Sequence, residues 1–409
     1  MKYLFLLFVI NFLIFSIKSQ EEKKQYDIVA FGMPVVDYIL DYNHTSDTLN
    51  LVKTKLSYHM SSSSGLRELL KEVSKEKEVF NTIGGSSLNT LRTSNFILKE
   101  NKKIFYIGGI GKDDFGKKIK NQLDKENIEY LLVESDVKTT SIILCLIYQN
   151  KDRETFASLE STQEVNYTHF NTTKILNVLD NTKIFYTDAY LVEVLIDTYE
   201  FVFKYLYNTK TLIGIGMAQK EIIINEKDKI KNILPYVDIL FMNEGEFVAL
   251  EKIYDFKDDN DFLNKFSKKE DFKDFFAYFS KFKKNKKKDL VFIVTQGKGD
   301  TIILIKNYTE DSIELINEPI LIIDLKLEID YNGAGDAFAG GFLAGLIEGK
   351  SYRDSAILGN IFASGAIRLK GFQVPQIDDE RIEREYKIQY KLKEDNERKE
   401  REMENKGDL

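Results

Sequence analysis

The chain has 409 residues, 43% of them hydrophobic, enough for a large buried core. Its 58 basic and 65 acidic side chains leave a net charge of −7, which argues against a general nucleic-acid binder. A single cysteine, Cys145, and three histidines, His44, His59 and His169, exclude an internal disulfide and a cysteine-based zinc site, and they leave little room for a histidine-based metal or acid–base centre.

The first stretch, MKYLFLLFVINFLIFSIKSQ, places a lysine before a mostly apolar run that ends in small and polar residues, the pattern of a secretory signal peptide. Residues 1–19 are therefore expected to be removed, leaving a chain in the secretory pathway or secreted, with no membrane attachment. An uncleaved anchor is the alternative, and a leader without function would leave the protein cytoplasmic. Four N-x-[ST] sequons, at Asn43, Asn166, Asn171 and Asn307, fit the secretory route, but a chain this rich in Asn and Thr would carry about as many by chance.

Next, YDIVAFGMPVVDYIL reads as a strand punctuated by Gly32, Pro34 and Asp37. Residues 43–80 are polar and read as loop, short strands and one solvated helix. The apolar runs KIFYIGGIG, SIILCLIY, KIFYTDAYLVEVLI, TLIGIGMAQ, YVDILFMN and LVFIVTQGKGDTIILI follow, most of them separated by helical stretches. Such alternation predicts a mainly parallel sheet covered on both faces. Residues 252–289 are predicted helical with a lysine-rich end, a surface insertion. LIIDLKLEID reads as one more strand. From Asp378 onward the chain is charged throughout and is expected to be an exposed helix or disordered tail without a functional role.

Open α/β sheets bind ligands where strands end in loops, and four such ends carry glycine or asparagine: Gly84-Gly85-Ser86-Ser87-Leu88-Asn89, Asn243-Glu244-Gly245-Glu246, Thr295-Gln296-Gly297, and DYNGAGDAF at 330–338. No G-x-x-x-x-G-K-[ST] loop occurs, and GGIGKDDFG fails G-x-G-x-x-G because Asp114 takes the last glycine's place. In DYNGAGDAF the amides of Gly333, Ala334 and Gly335 fall at a helix start, where unpaired N–H groups and the helix dipole favour an anion. Asp336, just inside that start, is placed to act as a base beside it. Taken alone, the stretch equally suits a glycine-rich turn with Asp336 as an ordinary N-terminal helix acid.

GGSSLN, GGIGKDDFG, LPYVDILFMNEGEF, IVTQGKGDTI and DYNGAGDAFAGGFLAGL stand in the order found in the ribokinase-like (PfkB) carbohydrate kinases. The chain resembles that family from about Tyr26 to Pro375, and its wording is most similar to the adenosine kinases within it. The resemblance implies a three-layer α/β/α domain over residues 20–375 with a small β-sheet lid from roughly 37–60 and 128–165. It implies phosphoryl transfer from ATP, with Mg2+, to the 5′-hydroxyl of adenosine, by a monomer. Asp336 would be the base, and Gly333, Ala334 and Gly335 its anion hole. Arg153 lines up with an arginine that reaches the transferring phosphate, a task suited to a planar fork. Asp37, Gly84, Gly85 and Asn89 match residues that hold the ribose; Asn243, Thr295, Gly297, Asn332 and Asn360 match the nucleotide site; Glu246 would order Mg2+ through water. Three departures bear on the acceptor: Met33 stands where the adenosine kinases have an asparagine, Tyr331 precedes NGAGD in place of threonine, and GIGMAQ occupies 214–219. They leave open a kinase for another nucleoside or a sugar; a nucleoside-binding protein without catalysis is the remaining alternative.

Overall fold

The computed structural model describes residues 25–41, 65–68, 70–71, 79–99, 102–147, 153–256, 269–320 and 330–391. The expected leader, all but the last residue of the strand expected over 321–330, and the last 18 positions, 392–409, lie outside them. In chain order the main elements are β1 (Tyr26–Phe31), β2 (Val35–Asp41), β3 (Phe80–Gly84), α1 (Ser86–Leu98), β4 (Ile104–Gly111), α2 (Asp114–Lys125), β5 (Glu129–Ser135), β6 (Ile142–Ile147) and β7 (Arg153–Ser158). There follow α3 (Thr173–Asp180), β8 (Thr182–Asp188), α4 (Val192–Leu206), β9 (Leu212–Gly216), β10 (Ile239–Asn243), α5 (Glu244–Ile253) and α6 (Lys269–Phe279). The last are β11 (Leu290–Thr295), β12 (Thr301–Asn307), β13 (Ser312–Glu318), α7 (Ala334–Ile347) and α8 (Tyr352–Ala366). Short helical turns join several of them.

The main sheet has nine strands in the order β13-β12-β11-β10-β9-β8-β1-β4-β5. From β11 through β5 every neighbouring pair is parallel, and β12 and β13 close one edge antiparallel. β1, YDIVAF, is buried at every position, as a strand covered on both faces must be. Apolar side chains of α1, α2, α7 and α8 pack on one face and those of α3, α4, α5 and α6 on the other, so the domain is a three-layer α/β/α sandwich, as expected. A second, four-stranded sheet runs β3-β2-β6-β7. It takes only β6 and β7 from the stretch 128–165 and adds β3, while β5 belongs to the main sheet.

Two surface assignments made from the sequence need correction. α6 is no surface insertion: Phe272, Phe275, Phe276 and Phe279, spaced i, i+3, i+4, i+7, are all buried in the core. Even Lys283, in the lysine-rich end, is buried and donates to Asp238. The C-terminal charges, too, form a helix over 379–391 that is not simply exposed. Gln389 and Glu385 are buried, and the Tyr386 hydroxyl donates to the Asp354 carbonyl at 2.7 Å.

From β1 the chain builds β4 and β5 to one side and β8 to β11 to the other. The strand order thus reverses beside β1, and such a reversal opens a crevice beyond the carboxyl ends of the strands. The small sheet's strand β2 leaves β1 at that end.

Candidate active site

α7 begins at Gly333, whose φ of 74° is left-handed and whose missing side chain leaves room for the Phe372 ring; a Cβ there would lie 2.2 Å from it. Farther along, a Cβ on Gly340 would sit 2.5 Å from the Thr90 carbonyl, so the small residues of α7 let it lie close against α1. That close approach sets the two helix starts face to face. The Ser86 hydroxyl donates to Asp336 Oδ1 at 2.6 Å and the Asn89 amide donates to Asp336 Oδ2 at 2.9 Å. Asn89 is 3% exposed, and its Oδ1 is buried with no donor among the described residues. The side chain expected to face a sugar is therefore tied at one end to the expected base and left open as an acceptor at the other.

Asp37, buried on β2, faces the same cavity of about 460 Å³. The double glycine before α1 is also required by internal packing. A Cβ on Gly84 would fall 2.0 Å from Asp37 Oδ2, and one on Gly85, at φ 110°, would fall 1.9 Å from the Met33 carbonyl oxygen. Both glycines thus make space for the protein's own groups, and Gly85 lines the cavity as well. Ile143, Cys145, Ala157 and Leu159 from the small sheet give the cavity an apolar wall, and Met33 adds a thioether.

Across the cavity, Asn243 ends β10 and caps α5. Glu246 returns two bonds: the Asn243 backbone N–H donates to Oε2 at 2.9 Å and its amide donates to Oε1 at 2.7 Å, while the Glu246 N–H donates to Asn243 Oδ1 at 3.0 Å. This is a reciprocal capping box. Burial pushes the Glu246 carboxyl up to about 7, against the lowering effect of those bonds. Among the described residues no three His, Cys, Asp or Glu side chains cluster as a metal cage. On this side of the cavity the Glu246 carboxylate suits Mg2+, which keeps several waters and binds chiefly through substrate phosphates.

Thr295, Asn332, Gly335 and Tyr331 also line the cavity. Gly297 and Asn360 are not part of that lining; the Asn360 Oδ1 instead accepts from the Thr301 hydroxyl at 3.0 Å and ties α8 to β12. The Ala334 N–H turns back toward the Tyr331 carbonyl at 3.4 Å, so of the three cradle amides it is the one with a partner inside its own turn. Arg153 opens β7 opposite Ile147 in the pairing; its side chain lies outside the described residues. Two residues given no role from the sequence bear on the site: Ser86 lines the cavity, and Asp188 lies behind it, accepting from the Ser87 backbone N–H. Ser86 stands inside the GGSSLN run, so its signal is local in the sequence. Asp188, at the end of β8 in YTDAY, carried no signal beyond its place at a strand end.

The profile of the pfkB family carbohydrate kinases matches residues 59–379. The chain belongs to that family. PfkB kinases are ATP-dependent phosphotransferases, and the cavity lies where this fold's strands end. Among curated relatives, the adenosine kinase of Dictyostelium discoideum is 26% identical over 293 residues, covering 71% of this chain and 81% of the relative. That of Schizophyllum commune is 27% identical over 316 residues, covering 76% and 86%. Among solved structures, the adenosine kinase from Schistosoma mansoni in complex with 2-fluoroadenosine superposes with a TM-score of 0.71 at 20% identity, covering 86% of this chain and 97% of that one. A probable sugar kinase from Rhizobium etli gives 0.66 at 19% identity, covering 85% and 94%.

Proposed function

We propose that this PfkB kinase transfers the γ-phosphoryl group of ATP to the 5′-hydroxyl of adenosine, giving AMP and ADP. The observation that carries the reading is Asp336, held by Ser86 and Asn89 at a helix start that opens on a cavity with an apolar wall. Asp336 takes the hydroxyl proton as the acceptor oxygen bonds to the γ-phosphorus and the bond from that phosphorus to the β,γ-bridging oxygen breaks. The helix start stabilises charge on the transferring group. Bound Mg2+, ordered by Glu246 and Asn243, would neutralise charge on the phosphates. Asp37 and the open Oδ1 of Asn89 face the ribose hydroxyls, and the wall of Ile143, Cys145, Ala157 and Leu159 offers the base an apolar seat. A free pentose would leave that wall uncovered, which favours a nucleoside. One observation favours another acceptor: Met33 lends the acceptor end a thioether, only a weak acceptor.

The test is turnover of MgATP against adenosine, other nucleosides, ribose and fructose. Adenosine is expected to show the highest kcat/KM; a sugar that outcompetes it overturns the reading. Asp37→Ala should raise KM for adenosine far more than KM for ATP, because a site built to bond substrate hydroxyls loses discrimination when a partner is removed. Equal impairment for both substrates would remove Asp37 from the ribose. We also propose that residues 1–19 are cleaved in the secretory pathway, on the strength of the lysine and apolar run. N-terminal sequencing that recovers Met1 on cytosolic protein would overturn that part.

A further inference from the structure

Asp188 ends β8, next to β1 where the strand order reverses, and is only 2% exposed. Its Oδ2 accepts from the backbone N–H of Ser87 at 3.0 Å, and its Oδ1 accepts from the backbone N–H of Tyr190 at 3.1 Å. A Cβ on Gly32 would meet the Ser87 hydroxyl oxygen at 1.8 Å and Asp188 Oδ2 at 3.1 Å, so β1, β8 and the start of α1 meet without spare space. Ser87 sits between Ser86 and the turn that ends in Asn89, and those two residues hold Asp336. A buried carboxylate is costly unless its bonds are needed. Here it grips the backbone between the two donors of the base.

We propose that Asp188 is a positioning residue for phosphoryl transfer: ionised, it anchors the first turn of α1 so that Ser86 and Asn89 present their donors to Asp336. The proposal rests on the kinase reading of this cavity. The ionisable groups that face Asp188 are the phenols of Tyr106 on β4, Tyr186 on β8 and Tyr199 on α4, and the carboxylate of Asp336 on α7. Burial holds all three phenols above their usual range, so they stay neutral near pH 7. Burial first, and the charge of Asp336 after it, push the Asp188 carboxyl up to about 6 against the two backbone bonds. A charged acceptor makes the stronger hydrogen bond, so the anchor weakens as pH falls through that value.

Asp188→Asn keeps the shape and removes the charge. In the active enzyme its kcat should fall roughly 10- to 100-fold, the range expected for losing a hydrogen bond to a charged group, with both KM values within about threefold. The wild-type kcat should show an acid limb near pH 6 that the variant lacks. A crystal structure of the variant should show the Ser86–Asp336 contact lengthened or lost. A variant with wild-type kcat and the same acid limb, or one whose structure keeps both bonds to Asp336, overturns the proposal. Should the variant fail to fold, the wild-type profile alone decides: no ionisation of kcat between pH 5 and 7 overturns it. If the wild type phosphorylates no acceptor, the kinase reading fails, whereas the variant's structure still decides whether Asp188 positions α1.

Discussion

Two glycine-bearing helix starts face each other across the cavity, and their glycines serve opposite ends. At α1, Gly84 and Gly85 have no space beyond their hydrogens, because the Asp37 carboxylate and the Met33 carbonyl fill it. At α7, Gly333 is likewise crowded by Phe372, but a Cβ on Gly335 would meet no atom within 4 Å. Gly335 lines the cavity with the space beside it clear, whereas Gly85, which also lines it, is backed by the Met33 carbonyl. The α1 start is built for internal packing and supplies donors; the α7 start carries the carboxylate that receives them and one position kept clear.

The strongest way to break this contrast is to remove the function of α7 while keeping its shape. Asp336→Asn should lower kcat roughly 10²–10⁴-fold. Adenosine affinity, measured by calorimetry, should hold, since Asp37 lies on β2, away from α7. An active enzyme with an unimpaired variant would move the base elsewhere.

Paired alanine substitutions sharpen the contrast. Gly335→Ala should melt at or above the wild type, since alanine is favoured over glycine in a helix by roughly 0.5–1 kcal/mol. Its turnover should nevertheless fall about tenfold or more, because the new methyl enters the ligand's space. Gly84→Ala should do the reverse: lose about 1–3 kcal/mol of stability through overpacking against Asp37, and raise KM for the nucleoside through the displaced carboxylate. Calorimetric melting and steady-state kinetics of both variants check the pair. The same sign of stability change in both would erase the distinction.

The smallest effect is expected at the opposite wall, where Glu246 serves both cap and cavity. Its folded pKa, about 7, is raised above the ordinary 4.5 by burial. The stability it contributes is therefore complete below about pH 4.5 and is lost as pH rises through about 7. In chelator-treated protein, the stability of wild type relative to Glu246→Gln should decline across that window and level off above it. A difference that does not vary with pH would mean the carboxyl titrates normally.

The sequence by itself determined the alternation of strand and helix, the mainly parallel sheet, and the order of loops that end its strands. Each of these rests on local chemistry: apolar runs, glycine at the left-handed Gly333, and a helix start right after it. The phenylalanine stripe of α6 is equally local, but the lysines flanking it give the stretch the composition of a surface segment. What only the tertiary structure decided is which groups meet. Ser86 and Asp336 are 250 residues apart, Asn89 and Asp336 247, and Ser87 and Asp188 101. No spacing rule predicts such pairs, because they depend on how closely α7 packs on α1 and where β8 ends beside β1. The same holds for Asn360, whose family-like position says nothing of its bond to Thr301. Backbone preference acts over a few residues and is written along the chain, whereas a buried carboxylate finds its donors only when the layers have closed around it.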